Sequence, residues 1–125
     1  MDNRPGKAPP MASAQQVEEF LKQVRRTIAD PKKFVIIPRE KNRRDVARLG
    51  LVPRQEIMNL THQDYDRGPL PDEDERMGGV VWEFMKEIDG VWVYMKLKLD
   101  ERGCVCLSFH EEELGLRSLP YRRMD

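Results

Sequence analysis

The chain has 125 residues, 39% apolar and 35% charged, with 22 basic side chains balancing 22 acidic ones, which sizes it for one lean domain. No apolar run approaches the ~18 residues of a membrane span, and the opening MDNRPGKAPP lacks a signal-like stretch, so membrane and secreted classes fit poorly. Cys104 and Cys106 alternate on one expected strand and are badly placed to bridge, which excludes a disulfide scaffold and favours a reducing cytoplasm.

Residues 1–13, rich in Pro, Ala and Gly, read as a disordered leader. Ser13 can cap a helix in which Val17, Phe20, Leu21, Val24 and Ile28 recur at helical spacing, and Asp30-Pro31 stops it. The β-branched run Phe34–Ile37 predicts a short strand ended by Pro38. Asn42 can cap a second helix through Leu49, with Gly50 as its stop signal. Pro53 suits the first turn of a third helix to about Leu60. The stretch DYDRGPLPDEDERMGG, polar and rich in Pro and Gly, predicts a loop.

Three strands are expected next. Val80, Trp82, Phe84, Lys86 and Ile88 share one face of the first, and Asp89-Gly90 is the dipeptide that a two-residue type I′ hairpin prefers. Val91, Val93, Met95, Leu97 and Leu99 alternate with Trp92, Tyr94, Lys96 and Lys98 in the second. A three-residue loop, Glu101-Arg102-Gly103, would pair Asp100 with Cys104 and bring Val105, Leu107 and Phe109 onto the apolar face. The fold class is therefore α+β: a small antiparallel sheet, a C-terminal three-stranded meander plus an earlier strand, with two or three helices on one face. The domain is expected over residues 14–113, followed by a tail, 114–125.

This register places Glu83 opposite Lys96, Met85 opposite Tyr94, Lys96 opposite Ser108 and Tyr94 opposite His110. Directly opposed side chains have Cβ atoms ~4.5–5.5 Å apart, so Glu83, Tyr94, Lys96 and His110 gather on the face turned from the apolar layer. A carboxylate, a phenol, an ammonium and an imidazole are the parts for metal-free RNA cleavage. Glu83 can take the proton of a ribose 2′-hydroxyl, His110 can give one to the leaving 5′-oxygen, and Lys96 with an arginine can stabilise the phosphoryl charge. The plainer reading of a cross-strand Glu–Lys pair is a solvated ion pair.

The basic groups crowd the first half: 14 basic and 9 acidic in residues 1–71, against 8 and 13 in residues 72–125. Arg39, Lys41, Arg43 and Arg44 are candidates for RNA phosphates, or equally the solvated side of a helix. Trp92 can stack a base or cover a loop. Asp72–Glu75 and Glu111–Glu113 could meet a basic partner, although a solvated loop and tail are the simpler reading. Neither zinc-ligand spacing nor a phosphate loop or dinucleotide fingerprint is present, so no metal and no cofactor is expected.

The motifs RRDVARLGL, LTHQDYDRGP, VWEF, GVWVYMKLKLD and VCLSFHEEE, in that order over residues 30–113, resemble the MqsR family of toxins of bacterial type II toxin–antitoxin systems. The resemblance implies a RelE-like fold and a metal-independent mRNA interferase. Its partners would be mRNA, a cognate antitoxin protein and, as a further candidate, the ribosome, with no membrane. It carries the family's functional positions onto Arg67, Glu83, Tyr94, Lys96 and His110. The best-known member has Lys, Gln and Lys where Arg67, Glu83 and His110 stand; Arg, Glu and His instead resemble the set of YoeB-like relatives of RelE. Glu83 as base, His110 as acid and Arg67 as phosphate clamp follow, with Tyr94 and Lys96 orienting or stabilising. The alternative is a non-catalytic regulator on the same fold that binds nucleic acid or protein.

Overall fold

Helix α1 (Ala14–Ile28) forms because Val17, Phe20, Leu21, Val24 and Ile28 fall on one stripe, and all five are buried. Its N-terminus is closed by a reciprocal pair, Gln16 N donating to Ser13 Oγ at 3.0 Å and Ser13 N to Gln16 Oε1 at 2.8 Å. The computed structural model describes residues 11–73, 78–115 and 117–122. After α1 come β1 (Phe34–Ile36), α2 (Glu40–Leu49), α3 (Pro53–Met58), β2 (Tyr65–Pro71), β3 (Val80–Ile88), β4 (Val91–Asp100) and β5 (Gly103–Glu111). The five strands make one mixed sheet in the order β1-β5-β4-β3-β2, with β1 parallel to β5 and the other pairs antiparallel. The architecture is α+β, as the patterning predicts.

One sheet face carries Phe84, Val93, Met95, Leu97, Cys104, Cys106 and Phe109 into a core with α1, Ile57 and Leu60. Phe20 stacks on Trp82 with centroids 4.5 Å apart. Each fully buried side chain of this size contributes ~1.5–3 kcal/mol relative to exposure.

Four local expectations are corrected. Residues 65–71 are not loop but the edge strand β2. An edge is where a sheet tolerates Pro, and two register irregularities let this one pass Gly68-Pro69, a cis peptide. Gly68 has φ +125°, and a Cβ there would lie 2.8 Å from Val81 O. Asn42 does not cap α2. The helix begins at Glu40, and Asn42 is buried inside it. The β4–β5 connection is a two-residue turn, pairing Asp100 with Gly103 and Leu99 with Cys104. Gly103 is required there because a Cβ would fall 2.2 Å from Lys33 O.

Lastly, Val105 and Leu107 do not join the helix-covered face. They form a second, small core with Val81 on the opposite side. The pairing steps from Leu97↔Cys106 to Lys96↔Ser108, so Leu107 is the extra residue of a β-bulge. Had the two-residue turn run on without it, Tyr94 would oppose Phe109. The bulge restores Tyr94↔His110, the expected pairing.

The acidic loop is only partly described, Asp74 and Glu75 lying outside the described residues. Its Asp72 is not a solvated charge: Lys98 Nζ reaches Asp72 Oδ2 at 2.9 Å with side chains 1% and 0% exposed. Lys98 also donates to Gly78 O at 2.6 Å. Of the leader, Met11 bridges to Gly68, while residues 1–10 lie outside the described residues.

Candidate active site

On the sheet face turned from α1, a cavity of about 480 Å³ opens, with Asp66, Arg67, Glu83, Met85, Tyr94 and His110 on its sheet side. Residues Glu112, Glu113, Leu114, Arg117 and Ser118, which follow β5, complete it. Cross-strand pairing explains the gathering: Arg67 opposes Glu83, Met85 opposes Tyr94, and Tyr94 opposes His110 across four adjacent strands.

Glu83 is 7% exposed in its side chain and accepts a charge-assisted bond of 2.8 Å from Arg67 Nε. The Tyr94 phenol lies near the same carboxylate. Burial first, and then the nearby Glu83 charge, push the Tyr94 phenol well above the ordinary tyrosine range, so it stays a donor. The Tyr94 and His110 rings lie 5.4 Å apart, centroid to centroid. His110 Nδ1 is 2.9 Å from the Glu111 carbonyl. A carbonyl only accepts, so Nδ1 carries the proton and Nε2 is the nitrogen left for chemistry.

Every carboxylate of the cavity has a partner. Asp66 accepts from Ser118 N at 2.6 Å and Leu119 N at 3.2 Å, Glu112 pairs with Arg117 at 3.1 Å, and Glu113 pairs with Lys41 at 2.6 Å. Lys41, with Arg44 and His110 nearby, holds the Glu113 carboxyl below its usual range.

Four of the five expected catalytic residues therefore meet: Arg67, Glu83, Tyr94 and His110. Lys96 sits opposite Glu83 and Ser108 on the same face, in the expected register, and is not among the residues that line the cavity. The Trp92 ring meets the tail, with the guanidinium carbons of Arg117 and Arg122 4.4 and 4.9 Å from its centroid. In the basic segment Lys41 borders the cavity through Glu113, while Arg44 bonds Asp45 at 3.0 Å. Arg39 and Arg43 are exposed and do not line it.

The tail wall was missed by sequence reasoning. Tyr121 stacks on Tyr65 at 5.9 Å and donates to Ala12 O at 2.6 Å, seating the segment. Its signal was slight: Leu119 and Tyr121 are apolar bodies in a polar tail. Among the described residues no group of three or more His, Cys, Asp or Glu side chains is arranged to hold a metal ion. Nor, among the described residues, is any helix long and apolar enough to cross a membrane. Comparison with known proteins finds no matching family model, curated protein or solved structure.

Proposed function

We propose that the chain is a metal-independent endoribonuclease, an mRNA interferase of the MqsR-like, RelE-like kind, acting in a bacterial cytoplasm and restrained by a cognate antitoxin. The observation that carries the chemistry is the meeting of Arg67, Glu83, Tyr94 and His110 in one cavity. The toxin–antitoxin setting is supported only by the ordered motifs of the sequence.

In this reading the RNA phosphodiester lies between Glu83 and His110. Glu83 takes the 2′-hydroxyl proton as the 2′-oxygen forms its bond to phosphorus. The 5′-oxygen–phosphorus bond breaks, and His110, entering as the imidazolium with a second proton on Nε2, gives that proton to the departing 5′-oxygen and keeps the one on Nδ1. Arg67 holds Glu83 through Nε, and the other edge of its guanidinium suits a phosphate oxygen pair. A phosphate that draws Arg67 away loosens its grip on Glu83, so substrate binding itself readies the base. The products are a 2′,3′-cyclic phosphate and a 5′-hydroxyl.

The test is cleavage of a defined mRNA by the purified chain in chelator, with the ends identified by mass. Glu83→Gln and His110→Ala should each slow cleavage by ~10²–10⁴-fold, the usual contribution of a general acid or base. A 3′-hydroxyl product, or variants as active as the parent, contradicts the assignment. Binding of RNA without cleavage would favour the non-catalytic regulator.

A further inference from the structure

His110 reaches the cavity only because β5 carries one extra residue, Leu107. Cys104 and Cys106 face α1, and so does Phe109, although the two cysteines and Phe109 differ in parity along the strand. A regular strand cannot satisfy both. Continued from Asp100↔Gly103 without a bulge, β5 would set Phe109 against Tyr94 and His110 against Val93, which is buried on the helix side. One residue therefore decides which side of the sheet the imidazole occupies.

A bulge leaves backbone groups without ladder partners. Here α2 supplies them. Asn42, 1% exposed, donates from Nδ2 to Leu107 O at 3.0 Å and to Ile37 O at 2.9 Å. Its Oδ1 accepts from Phe109 N at 3.0 Å. One turn on, Asp45 Oδ2 accepts from Glu111 N at 2.9 Å, while Arg44 and Arg48 hold its other oxygen. The two side chains lie three apart on one helix face and bracket His110 on both sides along the strand. Strand β1 ends at Ile36, so α2 takes over the outer edge of β5 where β1 stops.

We propose that Asn42 and Asp45, neither of which lines the cavity, are positioning residues that hold the β5 bulge and thereby aim His110 at the reacting bond. The catalytic part rests on the nuclease reading above; the structural part stands without it. Asn42 uses both amide hydrogens and its oxygen, so no other side chain of its length reproduces the set. Asp45 needs only an acceptor facing Glu111 N, which Asn preserves and Ala removes.

The experiment follows the Tyr94–His110 ring contact by nuclear Overhauser effects in the full chain, alongside RNA cleavage. Asn42→Ala should lose the ring contact and cleave roughly 10–100-fold more slowly through kcat with KM little changed, the cost of a misplaced group. Asp45→Ala should weaken both in the same direction, and Asp45→Asn should restore both. Asp30→Ala, which removes the remote cap of Lys32 N, is the control for lost stability alone and should leave both unchanged. If Asn42→Ala fails to fold, the Asp45 pair decides. An intact ring contact with parental cleavage in Asp45→Ala overturns the proposal, as does an Asp45→Asn variant no better than Asp45→Ala. If the parent cleaves no RNA, the nuclease reading fails, and the ring contact still tests whether α2 aims His110.

Discussion

At the scale of single residues, charges in this protein are placed where their partners make them affordable. Glu83 and Lys98 lie on the same sheet face, yet they serve different ends. Glu83 opens on a cavity, and Lys98 is sealed against Asp72 and Gly78 O. Removing one member of a sealed pair strands the other in low dielectric. Asp72→Ala should therefore cost ~3–5 kcal/mol of unfolding free energy, whereas replacing both partners by apolar residues should cost much less. Urea titration of the single and double variants checks this; a double-variant loss equal to the sum of the two single losses would show that the pair is not coupled. The residue scale is also where sequence reasoning was strongest for the site. Glu83 and Tyr94 were legible from pleat alternation and the Asp89-Gly90 hairpin, His110 only through an expected turn one residue too long, and Arg67 only through the family resemblance. Lys96 shares their face and opposes Glu83 without lining the cavity, since alternation fixes the face of a side chain and not the reach of a cavity.

Among elements, α2 and β5 are the informative pair. Glu111 N and the arginines 44 and 48 outweigh burial and hold the Asp45 carboxyl below its ordinary value. A depressed carboxylate adds stability above its unfolded value and loses it as pH falls through the folded one. Asp45→Asn should therefore lower Tm most at about pH 6, with the gap to the parent closing toward about pH 2. A gap independent of pH would mean that the charge contributes nothing. The bulge of β5 was not legible, and the reason is physical. Alternation alone put Val105, Leu107 and Phe109 on one face. The 100–103 turn, however, is two residues long, and Gly103 already pairs in β5 where it packs too close to Lys33 O for a Cβ, a tertiary contact that no local pattern reveals. The expected turn was one residue too long and the expected strand one residue too regular. These errors cancelled at His110. β2 was hidden for a related reason, because edge strands accept the Pro and Gly that ordinarily signal loops.

Taken as a whole, the molecule closes its cavity with its own C-terminal segment. Asp66 seats Ser118 and Leu119, Tyr65 carries Tyr121, and Trp92 lies under Arg117 and Arg122. Deleting residues 117–125 should leave the sheet core intact, uncover Trp92 and shift tryptophan emission to the red. Unchanged emission would place Trp92 beyond the tail's reach in solution. The order of elements and the α+β class followed from hydrophobic periodicity and capping signals. The cavity wall did not, since it depends on a tail touching residues some 50 positions earlier, as Ser118 does at Asp66.

The central claim is that Glu83 and His110 act on the two oxygens flanking one RNA phosphorus. The most direct measurement is cleavage of a short RNA beside an otherwise identical strand carrying a single 2′-deoxyribose at the cut site. Loss of cutting at that position alone is expected, because the attacking oxygen is gone. Cleavage of both strands at the same rate would contradict it.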